Sequence, residues 1–139
     1  MGRLTAERDA LLRKFGSLDD VVVLSADIHV SVASQLSRNG SPVAVEITAP
    51  SLTSQNLDEK LGVDPRDGVI VESERALAEA LEHIAWCELS GHGYVVCDID
   101  RERIRAEWWL VDGVLEPLPG ENIAAAYEVR SGAPELVPV

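Results

Sequence analysis

The 139 residues (15.0 kDa) are enough for one domain with a core, and 46% hydrophobic against 26% charged residues excludes a disordered chain. No apolar run approaches the ~18 residues of a membrane span, the opening MGRLTAERDALLRKF has no apolar stretch of the kind a secretion signal needs, and two cysteines exclude a disulfide framework. The formal charge of −12 falls on residues 41–139, since residues 1–40 carry five groups of each sign; this excludes nucleic acid and anionic membranes as partners and leaves solubility or, where oxygens cluster, attraction of divalent cations.

Residues 5–15 predict a helix with Thr5 as N-cap, Leu4, Leu11, Leu12 and Phe15 on one face, and Gly16 as the stop. Val21-Val22-Val23-Leu24 predicts a short strand buried on both faces. The polar loop Ser25–Ser31 follows, where layered α/β sheets place their sites. Residues 43–49 alternate as a strand that Pro50 ends, and 51–68 have loop composition. Residues 73–82 predict a short helix with Ala76, Leu77, Ala80 and Leu81 as its apolar stripe. Ile84–Leu89 and Tyr94–Asp100 flank Gly91-His92-Gly93 as a hairpin, which would set Cys87 opposite Cys97; without a secretion signal, reduced thiols are expected. Residues 104–112 predict a strand with Ile104, Ala106, Trp108 and Leu110 inward, and 123–129 a last strand before Gly132 and Pro134 break the pattern. The expected fold class is α/β passing into α+β: one domain, 1–139, with a buried strand-loop unit, an antiparallel meander and flanking helices.

The residues that could carry chemistry centre on Asp27-Ile28-His29. A carboxylate and an imidazole two residues apart in a loop can reach one metal of the Zn, Fe or Mn kind. Spacing alone leaves open a second reading, with Asp27 capping a turn and His29 packed in the core. Asp98 and Asp100 form a D-x-D beside Arg101 and Arg103, the pattern of an ion-paired strand end. His92 is expected at a hairpin tip and His83 at a helix–strand junction. Trp86 and Trp108 are expected in the core, which leaves Trp109 on the other face. There is no Gly-rich phosphate loop, G-x-S-x-G, C-x-x-C or H-E-x-x-H.

Several segments together resemble the PhoD-like alkaline phosphatases, of the calcineurin-like metallophosphoesterase superfamily. VVVLSADIHVSVASQL resembles the family's last metal motif, S/T-G-D-[IV]-H-x-S after a hydrophobic strand. PVAVEITAPSLTSQN (42–56) is similar to its P-V-x-x-E-F-x-x-P-S-[IV]-T-S. HGYVVCDIDRERIRAEWWLVD (92–112) is similar to its H-G-Y meander, and AAYEVRSGAPELVPV (125–139) to its closing strand. The order and spacing of these segments agree across nearly the whole chain.

The resemblance implies a partial metallophosphoesterase β-sandwich and hydrolysis of phosphomonoesters and phosphodiesters with bound divalent or trivalent metals, iron with calcium. It places metal-ligand roles on Asp27 and His29 and implies no other site residue here. The family's Gly before that Asp is Ala26, which predicts an altered loop if the position takes a positive φ. The family's earlier ligand motifs, of the G-D-x-x-Y and G-N-H-D sort, are not found in these residues. The expected function is therefore that of a C-terminal segment, inactive alone, of a phosphatase acting on a phosphate ester. The alternatives are one half of a split enzyme completed by a partner chain, or a non-catalytic dimerising module. A homo-oligomer or a missing N-terminal half is the expected partner; the chain as it stands predicts a cytoplasmic location, although the family is often exported.

Overall fold

The computed structural model describes residues 2–115, 117 and 119–139, with side chains from Thr5 onward. Helix α1 (Gly2–Phe15) leads into β1 (Val22–Ser25), β2 (Ser31–Arg38) and β3 (Ser41–Thr48). Two helices follow, α2 (Leu57–Leu61) and α3 (Gly68–Ala80), and then β4 (Ile84–Glu88). The chain ends in β5 (Gly93–Ile99), β6 (Arg103–Val111), β7 (Glu121–Arg130) and β8 (Ala133–Pro138). The first sheet is ordered β1-β3-β2-β4, with β1 parallel to β3 and the other pairs antiparallel. The second is the antiparallel meander β5-β6-β7-β8. The fold is α+β.

The two sheets face each other across one core. Ala33, Val45 and Ile47 of the first meet Ile104, Ala106, Trp108 and Val129 of the second. The period-2 reading of β6 holds: Ile104, Ala106 and Trp108 are buried and Leu110 half-buried. Trp108 is 0% exposed. Its ring meets Trp86 edge-on at 5.4 Å and Tyr127 at 6.1 Å, and its Nε1–H donates to the Thr48 carbonyl at 2.9 Å. The outer face of the first sheet is covered in part by α1, whose Leu12 packs with Leu36 and Ala44, with Phe15 and Val23 at the margin.

Gln35 ties the sheets at a second point. Its side-chain amide donates to the carbonyls of Ala44 and Pro134, and its oxygen accepts from Leu136 N at 3.1 Å. At the start of β1, Asp20 accepts from Ser131 Oγ and Gly132 N in the turn between β7 and β8.

Several expectations need correction. Strand β1 lies where expected but at the sheet edge, and Leu24 is 63% exposed instead of buried. Thr5 is inside α1, and Leu11 faces solvent; the expectation for Leu4 lies outside the described side chains. Helix α3 starts earlier than predicted and buries Ile70, with Ser73, Glu74 and Leu77 half-buried; Ala76, Ala80 and Leu81 are exposed.

The segment Ile84–Asp100 is not a hairpin. Strand β4 pairs with β2, and β5 pairs with β6, because the chain crosses between sheets at Ser90–His92. Cys87 therefore sits opposite Val32 and Cys97 opposite Ala106, and both thiols are free. Gly93 is required at the crossing: a Cβ there would collide with the Trp109 carbonyl. Strand β2 had no sequence expectation, α2 falls within the 51–68 stretch expected to be loop, and β8 forms where Gly132 and Pro134 were expected to end the strands.

Two predictions follow from this packing. Trp108→Ala removes both ring contacts and the indole hydrogen bond to Thr48, and should cost about 3–5 kcal/mol in urea denaturation. An unchanged midpoint would contradict the central role of this side chain. The second concerns Glu74, whose carboxylate accepts from Leu89 N at 3.1 Å. Burial, and then the neighbouring charge of Glu88, push its carboxyl above the ordinary 4.5. A carboxyl raised on folding carries no penalty below its unfolded value, and the penalty grows as pH climbs toward the folded value. Glu74→Gln keeps an acceptor for Leu89 N, so it should raise Tm at pH 7 and lose that advantage below about pH 4.5. Equal Tm values for the two proteins at pH 7 would count against this origin of the shift.

Candidate metal site

Asp27 and His29 occupy the loop between β1 and β2, and Ser31, the last residue of the predicted loop, opens β2. Both residues take left-handed backbone, with φ 78° at Asp27 and 59° at His29. Ala26 is not among the positive-φ residues, so the Ala in place of the family's Gly does not alter the loop in the way feared. The left-handed conformation costs a typical non-glycine residue roughly 1–2 kcal/mol, and Asp and His, which enter it more readily than most, less than that. The loop holds two such residues in three positions, each with a side chain able to ligate a metal.

The Asp27 side chain is exposed, and His29 is half-buried rather than packed in the core. His29 Nδ1 lies 3.0 Å from the carbonyl of Gln55. A carbonyl only accepts, so Nδ1 carries a proton, and whenever the ring holds only that one its lone pair is on Nε2. This is the usual orientation of a metal-ligating histidine, with one nitrogen held by a backbone acceptor and the other free. The donor set of one carboxylate and one imidazole suits a transition metal. By itself it does not make a site: among the described residues no three His, Cys, Asp or Glu side chains gather to hold an ion.

Gln55 precedes α2. Its neighbour Asn56 is 1% exposed and donates through Nδ2 to the Ser90 carbonyl at 2.8 Å and toward His92 Nδ1 at 3.4 Å. Glu59, three residues on, accepts from Asn56 N at 2.9 Å, the carboxylate half of a capping box. That backbone hydrogen bond holds the Glu59 carboxyl below its ordinary range. Its other oxygen lies 3.5 Å from His92 Nε2. His92 is therefore no hairpin tip; it lies where the chain passes between sheets and joins α2 to that crossing. An N-x-x-E pattern at Asn56–Glu59 was the available sequence signal for this helix start.

The remaining candidates are structural. Asp98 pairs with Arg103, and Asp100 accepts from Glu102 N and Arg103 N, which holds its carboxyl low. His83 gives its carbonyl to Gln35 N at 2.7 Å. Trp109 donates to Glu107 Oε2, and Arg105 holds Glu107 Oε1, a polar ladder on the outer face of the second sheet. Beside the loop, a cavity of about 290 Å³ opens over the part of the first sheet that α1 leaves bare, lined by Ser25, Ala26, Ile28, Ser34, Glu46 and Thr48 among others.

The strain at Asp27 is measurable. Asp27→Gly relieves a left-handed penalty of at most roughly 1–2 kcal/mol against a glycine entropy cost of roughly 0.5–1. It should leave the protein as stable, or more stable by up to about 1 kcal/mol, in urea denaturation, the net of those two effects. A destabilised Asp27→Gly protein would show that the aspartate serves the fold instead.

A sequence model of the PhoD-like phosphatase family matches residues 3–108, most of the chain. No curated protein matches in sequence. The solved structure of PhoD superposes with a TM-score of 0.75 at 22% identity, over 97% of this chain and 25% of that one. At that identity the likeness concerns the fold, and this chain spans about a quarter of the solved chain's length. With the family match extending over β1, the Asp27–His29 loop and the strands that support it, the chain belongs to the PhoD-like phosphatase family.

Proposed function

We propose that this chain acts as the C-terminal segment of a metal-dependent phosphomonoesterase or phosphodiesterase. In this reading Asp27 and His29 supply its last metal ligands, and the 139 residues do not turn over substrate alone. The observation that carries the reading is the hold of Gln55 on His29, which leaves Nε2 free at a strained, partly exposed loop beside an aspartate. Bound metals, iron with calcium by family resemblance, would activate a water and neutralise phosphoryl oxygens. The chain's own part is to present the Asp27 carboxylate and the His29 imidazole from one rigid turn anchored to β1 and β2. Hydrolysis at a two-metal centre needs roughly six or more protein ligands from several loops. Two of them offer only weak binding, so the remainder must come from residues outside those described.

The rim of the loop supports completion by further polypeptide, as the rest of one chain or as the other half of a split enzyme. Leu24, Ile28 and Leu52 are each more than 60% exposed. Strand β1 is an edge strand without proline or charge, the unprotected kind that pairs readily. A second copy of the chain on this edge would make the dimerising module of the alternative reading.

Paramagnetic broadening by Co²⁺ or Mn²⁺ of the isolated chain's amide spectrum tests the ligand assignment. Broadening should centre on residues 26–30 and be lost in His29→Ala, while p-nitrophenyl phosphate and its bis ester stay uncleaved with any added metal. Broadening elsewhere would overturn the ligand assignment. Metal-dependent turnover that vanishes in His29→Ala would overturn the claim that the chain is inactive alone.

A further inference from the structure

The segments PSLTSQN and HGY take no direct part in the site, yet they meet behind it. The Gln55–Asn56 peptide unit is held at both ends: its carbonyl accepts from His29 Nδ1 at 3.0 Å, and its N–H donates to Glu59 Oε2 at 2.9 Å. Because a peptide unit is planar and its C=O and N–H point in opposite directions, fixing one end fixes the other. Behind Glu59 stands His92, whose Nδ1 faces the Asn56 amide donor and whose Nε2 faces Glu59 Oε1. An amide group donates, so His92 accepts at Nδ1 and presents Nε2–H to the carboxylate. Asn56 itself is locked by its bond to the Ser90 carbonyl.

These bonds polarise in one sense. The negative charge on Glu59 draws the Asn56 proton, which enriches the Gln55 oxygen and strengthens its hold on the His29 Nδ1 proton. We propose that Glu59 is a positioning residue for His29, acting through the Gln55–Asn56 peptide unit to hold the imidazole in its Nδ1–H form with Nε2 free for a metal. This is a carboxylate–histidine pair with one peptide group inserted between them, and His92 steadies its carboxylate. The inference rests on His29 being a metal ligand only for its purpose; the hold on the ring is a property of the metal-free chain.

Long-range ¹H–¹⁵N imidazole NMR of the metal-free 139-residue chain at pH 8 reads the tautomer directly. Wild type should show His29 protonated at Nδ1 and bare at Nε2. Glu59→Ala should lose that signature, shifting both nitrogens toward averaged positions or the Nε2–H form. Glu59→Asp, too short to reach Asn56 N while keeping the charge at the start of α2, should behave as Glu59→Ala and serves if the latter does not fold. Glu59→Gln, whose amide oxygen still accepts, should retain the wild-type pattern. Lys60→Gly loosens the same short helix without touching the peptide and should leave His29 unchanged.

An Nε2–H form in wild type overturns the proposal, as does an unchanged His29 in folded Glu59→Ala or Glu59→Asp. Equal loss in Lys60→Gly would reduce Glu59 to a helix-cap residue and overturn it too. Added Co²⁺ separates the two readings. Glu59→Ala should weaken its binding by about 10–100-fold, whereas wild type with the expected tautomer but no Co²⁺ effect at His29 refutes the ligand reading and leaves the Glu59 proposal standing.

Discussion

The arrangement of this protein depends on one buried indole. Trp108 sits between the sheets, donates to the carbonyl of Thr48 at the end of β3, and meets Trp86 from β4 and Tyr127 from β7. The Thr48 end of β3 runs parallel beside Ser25, the end of β1, and their hydroxyls are 2.8 Å apart. The tryptophan therefore fixes, through two strands, the point at which the Asp27–His29 loop leaves the sheet. A burial of this kind stabilises through apolar area and edge-on ring contacts, and its N–H requires a partner, which Thr48 provides.

The loop receives a second constraint from an unrelated direction. Thr48 leads through Ala49 and Pro50 into the 51–56 segment, whose Gln55 carbonyl returns to His29. Gly93 N donates to the Ser51 carbonyl, and Asn56 Nδ2 to that of Ser90, so the crossing between sheets anchors the same segment. The candidate ligands thus sit on a turn braced by β1 and β2 below and by a hydrogen-bonded loop beside it. Such bracing lets strained backbone persist, since a free loop would relax out of the left-handed region.

What was legible in the sequence follows physical type. The alternation of Ile104, Ala106 and Trp108 is a period-2 signal with a large apolar payload, and it placed the core side of β6 correctly. Strand β2 escaped because Ser31, Ser34 and Ser37 dilute its apolar pattern although the first two are buried; the Asn39-Gly40 pair, both at positive φ, was the hairpin signal that would have revealed it. The crossing at Ser90–His92 has the composition of a tight turn, and composition does not tell a turn within one sheet from a passage between two. Gly132 and Pro134 have the composition of a break, but Gly132 lies in the turn before β8, an edge strand tolerates proline on its open side, and Gln35 supplies the bonds that hold β8. The Asp27–His29 motif was visible as residue types. The Gln55 carbonyl that orients it was not, because every residue carries a carbonyl and only the fold decides which one faces a given ring.

The energetics of the loop set a local backbone cost against the hydrogen bond that holds it. Glycine would occupy the left-handed positions of Asp27 and His29 at lower cost, and the hydrogen bond from His29 to Gln55 returns about 1 kcal/mol at most of what its backbone loses. The Asp27 carboxylate has an exposed side chain and adds nothing to the core. Asp and His enter the left-handed region more readily than most side chains, so the loop tolerates both at a modest cost. Under the ligand role proposed above, this is the expected arrangement: donors whose backbone is held rigid by its surroundings, at a place where the chain itself gains little from having them.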